Sequence, residues 1–329
     1  MATSATAQSP APRSGAPEDN LPANITQLTW FGERPSWSPD GKRIAFMSKS
    51  FGDAFEIDLA NRHIRLLTHY PHPGYLRVQY LPNGDYLLIG ARKFEDIENT
   101  RFSDQEFWVL KAGTSGPPIP LNQKVSEGVA ISRKALKIAW AEDSRTTPST
   151  FAPNESAIYT GDIVYENGQP RLVNKRMAVR AKGPDCHLEA QDFRNDDTEL
   201  TYVCYRQTPT VLLADAYGVD LRTGKTTVYR RIENEYNEIE GIFPDGRYAL
   251  VESSREQANP NGSKTIDLWR LRLEPNSTDF VRMTRFGEYP GYKTSNPVVS
   301  PDGRMFAFQE GRSADAAGVG YGIFVFKMK

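Results

Sequence analysis

The sequence predicts an all-β protein: a six-bladed β-propeller of four-stranded antiparallel blades, closed into a ring by an N-terminal strand. Three observations predict this fold. A turn phrase occurs six times, its copies are 43 to 62 residues apart, and no segment has a convincing helical period. Repeats of roughly 40–50 residues built from short strands are typical of propeller blades.

The repeated phrase is a tight turn between two apolar segments. Proline fixes φ early in the turn, and glycine supplies a positive φ late in it. An apolar, β-prone segment on each side makes each copy a hairpin. The four clear copies are Ser38–Gly41, Leu81–Gly84, Phe243–Gly246 and Ser300–Gly303, and the two weaker ones are Ser132–Ala135 and Arg194–Asp197.

Each blade is predicted to have four strands, A to D, counted outward from the propeller axis. Strand A ends at the turn, strand B follows it, and the segments 55–59, 106–110 and 266–271 are third strands. The sixth blade lacks a fourth strand at its C-terminal end. We expect Ile25–Thr29 to pair with Gly322–Phe326, since this pairing leaves no open sheet edge between the first and last blades.

The first repeat, Trp37–Phe46, resembles the WD40-like (PD40-type) repeat of TolB-like propellers. The resemblance covers residues 25–327 and implies the six-bladed architecture. It does not select a function, because such propellers include translocation scaffolds, protease-associated domains and sugar-active enzymes. The sequence has no Gly-x-Ser-x-Gly elbow, so the peptidases of that wider group are not matched.

The N-terminal residues differ in composition from the rest of the chain. Residues 1–23 are rich in Pro, Ala, Ser and Gly, and we predict a disordered tail followed by a single propeller domain at 24–329. Ala5–Ala7 is similar to the end of a signal peptide, but no charged and apolar regions precede it, so a native tail is the equal alternative. We expect an exported protein, periplasmic or secreted.

Charge balance and apolar run lengths argue against nucleic-acid binding and against a membrane-spanning helix. Lys and Arg total 40 against 41 for Asp and Glu, a net charge of −1, which gives no support for nucleic-acid binding. No apolar run approaches the roughly 18 residues that a membrane-spanning helix needs.

One face of the predicted ring has room for a site. The D–A connections and the B–C loops share this face, while the A–B turns lie on the other and leave little space. The long B–C loops are 91–105, 143–156 and 254–264. Loops held on a rigid scaffold are the usual location of function.

Charged residues recur at the predicted mouth of the axial funnel. Four of the six equivalent positions at the start of strand A are glutamates, namely Glu33, Glu127, Glu189 and Glu238. Arginine forks bind carboxylates and phosphates bidentately, so the candidate ligand-binding residues are Arg34, Arg77, Arg92, Glu127, Arg206, Arg255 and Arg312. The alternative is that Glu–Arg pairs join neighbouring blades. We expect an anionic group to bind near His187, Arg206 and Arg255.

The candidate catalytic residues are His187, Glu189, Glu238 and Tyr75. A lyase acting on a uronate needs cations for the carboxylate and a base such as His187 or Tyr75. A hydrolase would use a pair of carboxylates, Glu189 and Glu238. The spacing favours neither reaction. A glutamate ring is also able to hold a divalent cation such as Ca²⁺, although the Asp-rich loop of a dedicated calcium site is absent.

The two cysteines lie in one predicted hairpin. Pairing Phe193 with Leu200 brings Cys186 within about three residues of facing Cys204, which permits a disulfide but does not require one. Two buried thiols are the alternative, and export would favour the bridge.

Two functions of different classes follow from these features. The first is an enzyme or receptor for a small anionic molecule, an acidic saccharide fitting best. The second is a non-enzymatic scaffold whose loop-rich face binds a protein or an envelope polymer, with aromatic residues in 100–103 and 287–292 as anchors. A funnel whose charged side chains converge on one cavity would favour the first, and a funnel plugged by paired charges the second.

Overall fold

Six four-stranded antiparallel sheets form the fold that the repeats predict. The computed structural model describes residues 12–183, 185–257, 261–316 and 318–328. In these residues the strands form six consecutive blades. Strand β1 (Ile25–Gln27) lies in one sheet with the last three strands of the chain. The predicted six-bladed propeller is therefore confirmed.

The blades follow the chain in order. Blade one contains β2 (Glu33–Trp37), β3 (Arg43–Met47), β4 (Ala54–Asp58) and β5 (Ile64–Leu66). Blade two contains β6 (Tyr75–Tyr80), β7 (Tyr86–Ala91), β8 (Gln105–Leu110) and β9 (Ile119–Lys124). Blade three contains β10 (Val129–Ile131), β11 (Lys137–Asp143), β12 (Glu155–Glu166) and β13 (Gln169–Lys182).

The second half of the ring has the same order. Blade four contains β14 (His187–Arg194), β15 (Glu199–Gln207), β16 (Leu212–Asp220) and β17 (Thr226–Arg230). Blade five contains β18 (Asn237–Ile242), β19 (Tyr248–Ser253), β20 (Asp267–Arg272) and β21 (Phe280–Arg282). Blade six contains β22 (Tyr292–Val299), β23 (Met305–Arg312), β24 (Ile323–Lys327) and β1.

The ring closes by the predicted pairing. Ile25 faces Phe326 and Gln27 faces Phe324 in an antiparallel register. Ile25 is buried in the apolar cluster that also contains Phe306 and Phe308. The N-terminal strand thus supplies both the missing ladder and part of the core of blade six.

The repeated turns have the backbone that their residues predict. Gly41 and Gly303 have φ values of 69° and 72°, a left-handed conformation that glycine adopts without a steric penalty. In the weaker copy of blade four, Asp197 stands at the glycine position with φ of 61°, and Asn195 and Asp196 before it also have positive φ, since asparagine and aspartate tolerate that region better than most residues. The turns therefore set the hairpins at the inner edge of the blades.

The core lies between neighbouring blades rather than inside one. Phe107 of blade two packs edge-on against Trp140 of blade three, with ring centroids 5.9 Å apart, and both are fully buried. Burying one such side chain contributes roughly 1.5–3 kcal/mol. An apolar cluster joins each pair of neighbouring blades around the ring, so every blade packs against both of its neighbours.

Three features differ from the sequence prediction or extend it. The loop 91–105 contains a short helix, α1 (Ile97–Ser103), begun by Asp96, whose side chain accepts a 2.8 Å hydrogen bond from Asn99 N. Strands β12 and β13 have 12 and 14 residues, which explains the longest spacing between repeats. Among the described residues, no helix is long and apolar enough to cross a membrane.

The predicted disordered tail at 1–23 is ordered in its described part. Residues 1–11 lie outside the described residues. Arg13 N donates to Glu288 O at 2.8 Å, Pro17–Asn20 forms a turn of 3-10 helix, and the Arg312 guanidinium lies 3.6 Å from the Glu18 carboxylate. Residues 12–23 are therefore held against the ring by contacts that their composition did not reveal.

Candidate functional site

A cavity of about 830 Å³ opens on the face formed by the D–A connections and B–C loops. Its walls are the starts of the inner strands, together with residues of all three predicted long loops, among them Arg101, Arg145 and Ser263. This volume is within the range of about 300–1,000 Å³ that is usual for small-molecule sites.

A second cavity, of about 520 Å³, occupies the opposite face. It is lined by the A–B turns, which were expected from the sequence to leave little room, so that expectation was wrong. The two cavities share four lining residues, Arg34, Arg77, Glu240 and Asn296. We call these four residues the waist of the axial channel.

Irregular inner strands produce the waist. The register shifts between Glu33 and Ser36 in β2, between Ile239 and Ile242 in β18, and between Ser295 and Val298 in β22. Each shift is a bulge, a feature that redirects side chains and is common next to functional sites. Arg34, Glu240 and Asn296 lie within these three bulges, and Arg34 and Asn296 have positive φ values of 50° and 51°.

One wall of the large cavity is a cluster of arginines around Glu127. Arg101 Nε donates to Glu127 Oε2 at 3.0 Å, and Arg34 donates from its NH2 group to Glu127 Oε1 at 3.3 Å. Arg34 also pairs with the adjacent Glu33. Burial raises the pKa of Glu127, but the charges of Arg101 and Arg34 outweigh burial and hold this pKa well below its usual range.

Arg77 is a largely buried cation with few contacts to polar groups of other side chains. Its side chain is 16% exposed, and its closest carboxylate oxygen is Glu189 Oε1 at 3.6 Å. Within the described part of the chain its guanidinium makes no hydrogen bond, and its Nε atom is buried without a partner. A guanidinium has five N–H donors, so Arg77 has donors available to hydrogen-bond a ligand in the cavity.

The opposite wall joins two carboxylates through one tyrosine hydroxyl. Tyr205 Oη lies 2.8 Å from Glu189 Oε2 and also contacts Glu238 Oε1, and Tyr236 donates to the other oxygen of Glu238. One hydroxyl has a single proton, so it cannot donate to both carboxylates. Burial and the charge of Glu238 raise the pKa of Glu189, and burial and the charge of Glu252 raise the pKa of Glu238. Raised pKa values on both sides of one hydroxyl favour one proton shared by the pair.

Three neighbouring carboxylates, one of them Glu238, define where a metal could bind. Glu238, Glu240 and Glu252 bring one oxygen each to within 4.8 Å of one another. They form the one group of three potential metal ligands found within the described residues. Lys293 is nearby, but its Nζ donates to the Ser263 carbonyl at 2.8 Å.

His187 lies at the mouth of the cavity with a carboxylate partner. Its Nε2 atom is 3.5 Å from Asp143 Oδ2, and its side chain is 36% exposed. Arg145 NH2 binds the same Asp143 oxygen at 2.9 Å. Burial lowers the pKa of His187 although Asp143 opposes this effect, so the imidazole is neutral at neutral pH.

Most of the residues singled out in the sequence line this cavity. The structure brings together Arg34, Arg77, Glu127, His187, Glu189, Glu238 and Arg312. Arg312 stands at the rim, with its guanidinium 3.6 Å from the centre of the Tyr292 ring and 2.8 Å from Glu310 Oε1.

Four candidates point elsewhere. Tyr75 is buried against His72, with ring centroids 4.8 Å apart. Arg92 pairs with Glu106 at 2.5 Å, and Arg206 pairs with Asp215 at 2.6 Å. Arg255 lies 5.7 Å from the centre of the Trp269 ring. The three arginines follow or end second strands, which are one strand away from the axis, so their side chains meet the third and fourth strands.

The expected positive pocket at His187, Arg206 and Arg255 is therefore not formed. Arg206 and Arg255 are not among the residues that line the cavity, and the carboxylates of blades four and five occupy this side. The positive wall is instead the side that carries Arg34 and Arg101.

Several lining residues were not predicted from the sequence, although a signal existed for some of them. Tyr236 and Glu240 flank Glu238 at two-residue spacing, which places alternate residues on one face of a strand. Glu252 is the direct register partner of Glu238 across the β18–β19 hairpin, and counting from the turn predicts that pairing. Arg101 had no such signal, because it lies in the short helix of a long loop.

The fold and site define this protein as a six-bladed propeller with a charged axial cavity. No known protein family matches the sequence, and no curated protein does. Solved structures do match in fold. An oligogalacturonate lyase in complex with manganese aligns with a TM-score of 0.54 at 13% identity, over 92% of this chain and 80% of the lyase.

Two other solved structures also align with this chain. Hydrazine synthase of Kuenenia stuttgartiensis aligns with a TM-score of 0.51 at 15% identity, over 86% of this chain and 75% of that one. TolB from Acinetobacter baumannii aligns with a TM-score of 0.46 at 15% identity, over 88% of this chain and 63% of TolB. The chain thus spans less than two thirds of TolB. At these identities the likeness concerns the fold, the six-bladed propeller.

Proposed function

We propose that the large cavity binds a small acidic saccharide and that Glu189 and Glu238 hydrolyse it. The observation that carries the proposal is Arg77, a buried guanidinium that lines the cavity and makes no hydrogen bond within the described part of the chain. An anionic group on the ligand would supply the partner that Arg77 lacks. Guanidinium and carboxylate groups match in geometry and form paired hydrogen bonds.

The lining of the cavity suits a carbohydrate as the rest of the ligand. Tyrosines, carboxylates and Lys293 line it, and each of these groups is able to hydrogen-bond a sugar hydroxyl. Phe102 and Tyr321 add flat apolar surface. Such a mixture of aromatic surface and a few fixed polar groups is usual in small-molecule sites.

Hydrolysis is the reaction whose residues lie together. Glu189 and Glu238 share the Tyr205 hydroxyl, so one carboxyl can carry a proton while the other is ionised. In the proposed reaction Glu189 gives its proton to the glycosidic oxygen as the carbon–oxygen bond breaks. Water adds to the anomeric carbon, and Glu238 takes the proton of that water. The lyase alternative would use Tyr75 or His187 as its base. Tyr75 lies outside the cavity lining, and His187 lines the mouth beside Asp143.

The proposal includes export. The structure joins Cys186 to Cys204, with Cα atoms 4.8 Å apart, and disulfides persist mainly in oxidising compartments. An extracytoplasmic location also fits a polysaccharide fragment as substrate.

A thermal-shift comparison tests the ligand class. We use trigalacturonate as the probe, because a fold neighbour is an oligogalacturonate lyase, and its methyl ester as the uncharged control, both in EDTA. The proposal expects a rise in melting temperature with the acid and none with the ester, since only the acid satisfies Arg77. Equal shifts with both, or no shift with either, would contradict it.

A reducing-end assay tests the reaction. Glu189→Gln keeps the shape of the side chain but removes the transferable proton, so we expect at least about a 100-fold loss of rate with trigalacturonate binding retained. Glu310→Gln is the matched control, a buried carboxylate that lines the same cavity but does not contact Tyr205. Product with an unsaturated end would show a lyase instead.

A further inference from the structure

The carboxylates at the bottom of the large cavity form a group with an unsatisfied member. Glu238 and Glu252 face each other in the β18–β19 ladder. Glu240 follows in the bulge of β18, and the three side chains bring one oxygen each to within 4.8 Å of the others. Two oxygens bound to one Ca²⁺ at about 2.4 Å can be at most about 4.8 Å apart, so the spacing fits a single cation.

Two of the three carboxylates have partners and the third has none. Glu238 accepts hydrogen bonds from Tyr205 and Tyr236, and Glu252 accepts one from Asn296 N at 2.5 Å. Glu240 is only 8% exposed, and the described residues give it neither a hydrogen-bond donor nor an ion pair. A carboxylate that is buried without a partner is costly in its ionised form, so Glu240 requires either a proton or a positive charge beside it.

The nearby protein cations do not supply that charge. Lys293 binds the Ser263 carbonyl, and Arg77 has Glu189 as its closest carboxylate. Neither lies within 4.0 Å of a carboxylate oxygen of the group. At the same waist, Asn296 Oδ1 is buried without a hydrogen-bond donor, and this amide oxygen is a ligand type that hard cations accept.

We propose that Glu238, Glu240 and Glu252 bind one divalent cation, with Ca²⁺ as the preferred ion. The donors are all carboxylate oxygens, which suit hard cations and offer nothing to metals that prefer nitrogen or sulfur. Glu240 lines both cavities, so the ion can enter from either face. Water in the cavities would complete its coordination.

The cation site shares Glu238 with the proposed hydrolysis and, resting on that proposed function, refines it. A cation held by Glu238 would lower the pKa of a water bound to it, beside the carboxylate that takes the proton of water in the proposed reaction. Glu189 remains outside the cation group and keeps its role as proton donor. Loss of cation binding would leave the Arg77 contact to the ligand unaffected.

Calcium binding is tested on the full chain after treatment with EDTA and dialysis. We expect Ca²⁺ at or below about 1 mM to raise the melting temperature. We also expect Tb³⁺ to give luminescence under tyrosine excitation, because Tyr205 and Tyr236 contact Glu238, and Ca²⁺ to quench it by competition. Glu240→Gln should abolish both signals, and Glu310→Gln, the matched buried control, should keep them.

The Glu240→Gln variant distinguishes a cation bound by this group from a general effect of Ca²⁺ on stability. The substitution removes a charge from a crowded group, so the variant should fold and be at least as stable as the unsubstituted protein in EDTA. A calcium shift that persists in Glu240→Gln would overturn the proposal, as would the absence of any shift and of any Tb³⁺ signal in the unsubstituted chain. Trigalacturonate binding measured in EDTA is a separate result, so either proposal can fail alone.

Discussion

The Arg77 guanidinium of blade two lies 3.6 Å from Glu189 Oε1 of blade four, and these two residues link the two walls of the cavity. Burial, and then the charges of Glu238 and Glu127, raise the pKa of Glu189, whereas the charge of Arg77 and a hydrogen bond from Tyr205 oppose this rise. A ligand anion on Arg77 would weaken that opposition and favour protonated Glu189. Binding and proton donation are thereby coupled in the proposed function.

The closing strand predicts different effects for two truncations. Deleting residues 1–30 removes β1, exposes the edge of β24 and leaves Phe326 without its partner Ile25. We expect this variant to fail to fold, as judged by circular dichroism. Deleting residues 1–20 removes only the contacts of the tail with blade six, so a cooperative melt at slightly lower temperature is expected. Equal melting temperatures would refute the closure.

The disulfide between Cys186 and Cys204 predicts no free thiols in the unreduced, denatured protein. The bridged residues are 18 apart in sequence, and closing a loop of that size stabilises by about 3 kcal/mol in the chain-entropy account. Reduction or the double change Cys186→Ser and Cys204→Ser should therefore lower the melting temperature without altering the fold. Two titratable thiols in unreduced protein would contradict the bridge.

The raised pKa of Glu310 predicts that the free energy of unfolding falls as the pH rises. Burial, and then the charge of Glu18, raises the pKa of Glu310 to about 8, although Arg312 opposes both. The folded state holds this proton more tightly than the unfolded state. The protonated Glu310 side chain therefore contributes fully to the free energy of unfolding below the unfolded pKa of about 4.5, and this contribution is lost between roughly pH 4.5 and 8. Melting curves in EDTA should show this fall, and Glu310→Gln should reduce its slope. An identical slope in both proteins would count against the assignment.

The fold was predictable because its signals are local. The turn phrase fixes each hairpin, and the alternation of apolar residues beside it fixes the faces, so Ile25–Thr29 could be assigned to blade six from pattern alone. The glutamates of the inner strands were predictable for the same reason, since their distance from each turn is constant.

The rest of the site depends on features that pattern does not encode. Arg101 lines the cavity from a short helix in a long loop, and Asn296 lies in a bulge of β22; the position of such a helix or bulge depends on packing against neighbouring blades. The sequence predicts Arg206 and Arg255 in the cavity only if the ends of second strands lie as close to the propeller axis as the starts of first strands. A side chain on a second strand, however, meets its own blade first, as the 2.6 Å contact of Arg206 with Asp215 shows.

Calorimetric titration of trigalacturonate into Arg77→Met tests the central claim most directly. Methionine keeps much of the bulk of the side chain but has no charge, and Arg255→Met is the matched control on the same ring. In EDTA at pH 7, the account predicts binding to the unsubstituted protein and to Arg255→Met, and at least about a tenfold loss of affinity in Arg77→Met with the fold intact. Unchanged affinity in folded Arg77→Met, or equal losses in both variants, would contradict it.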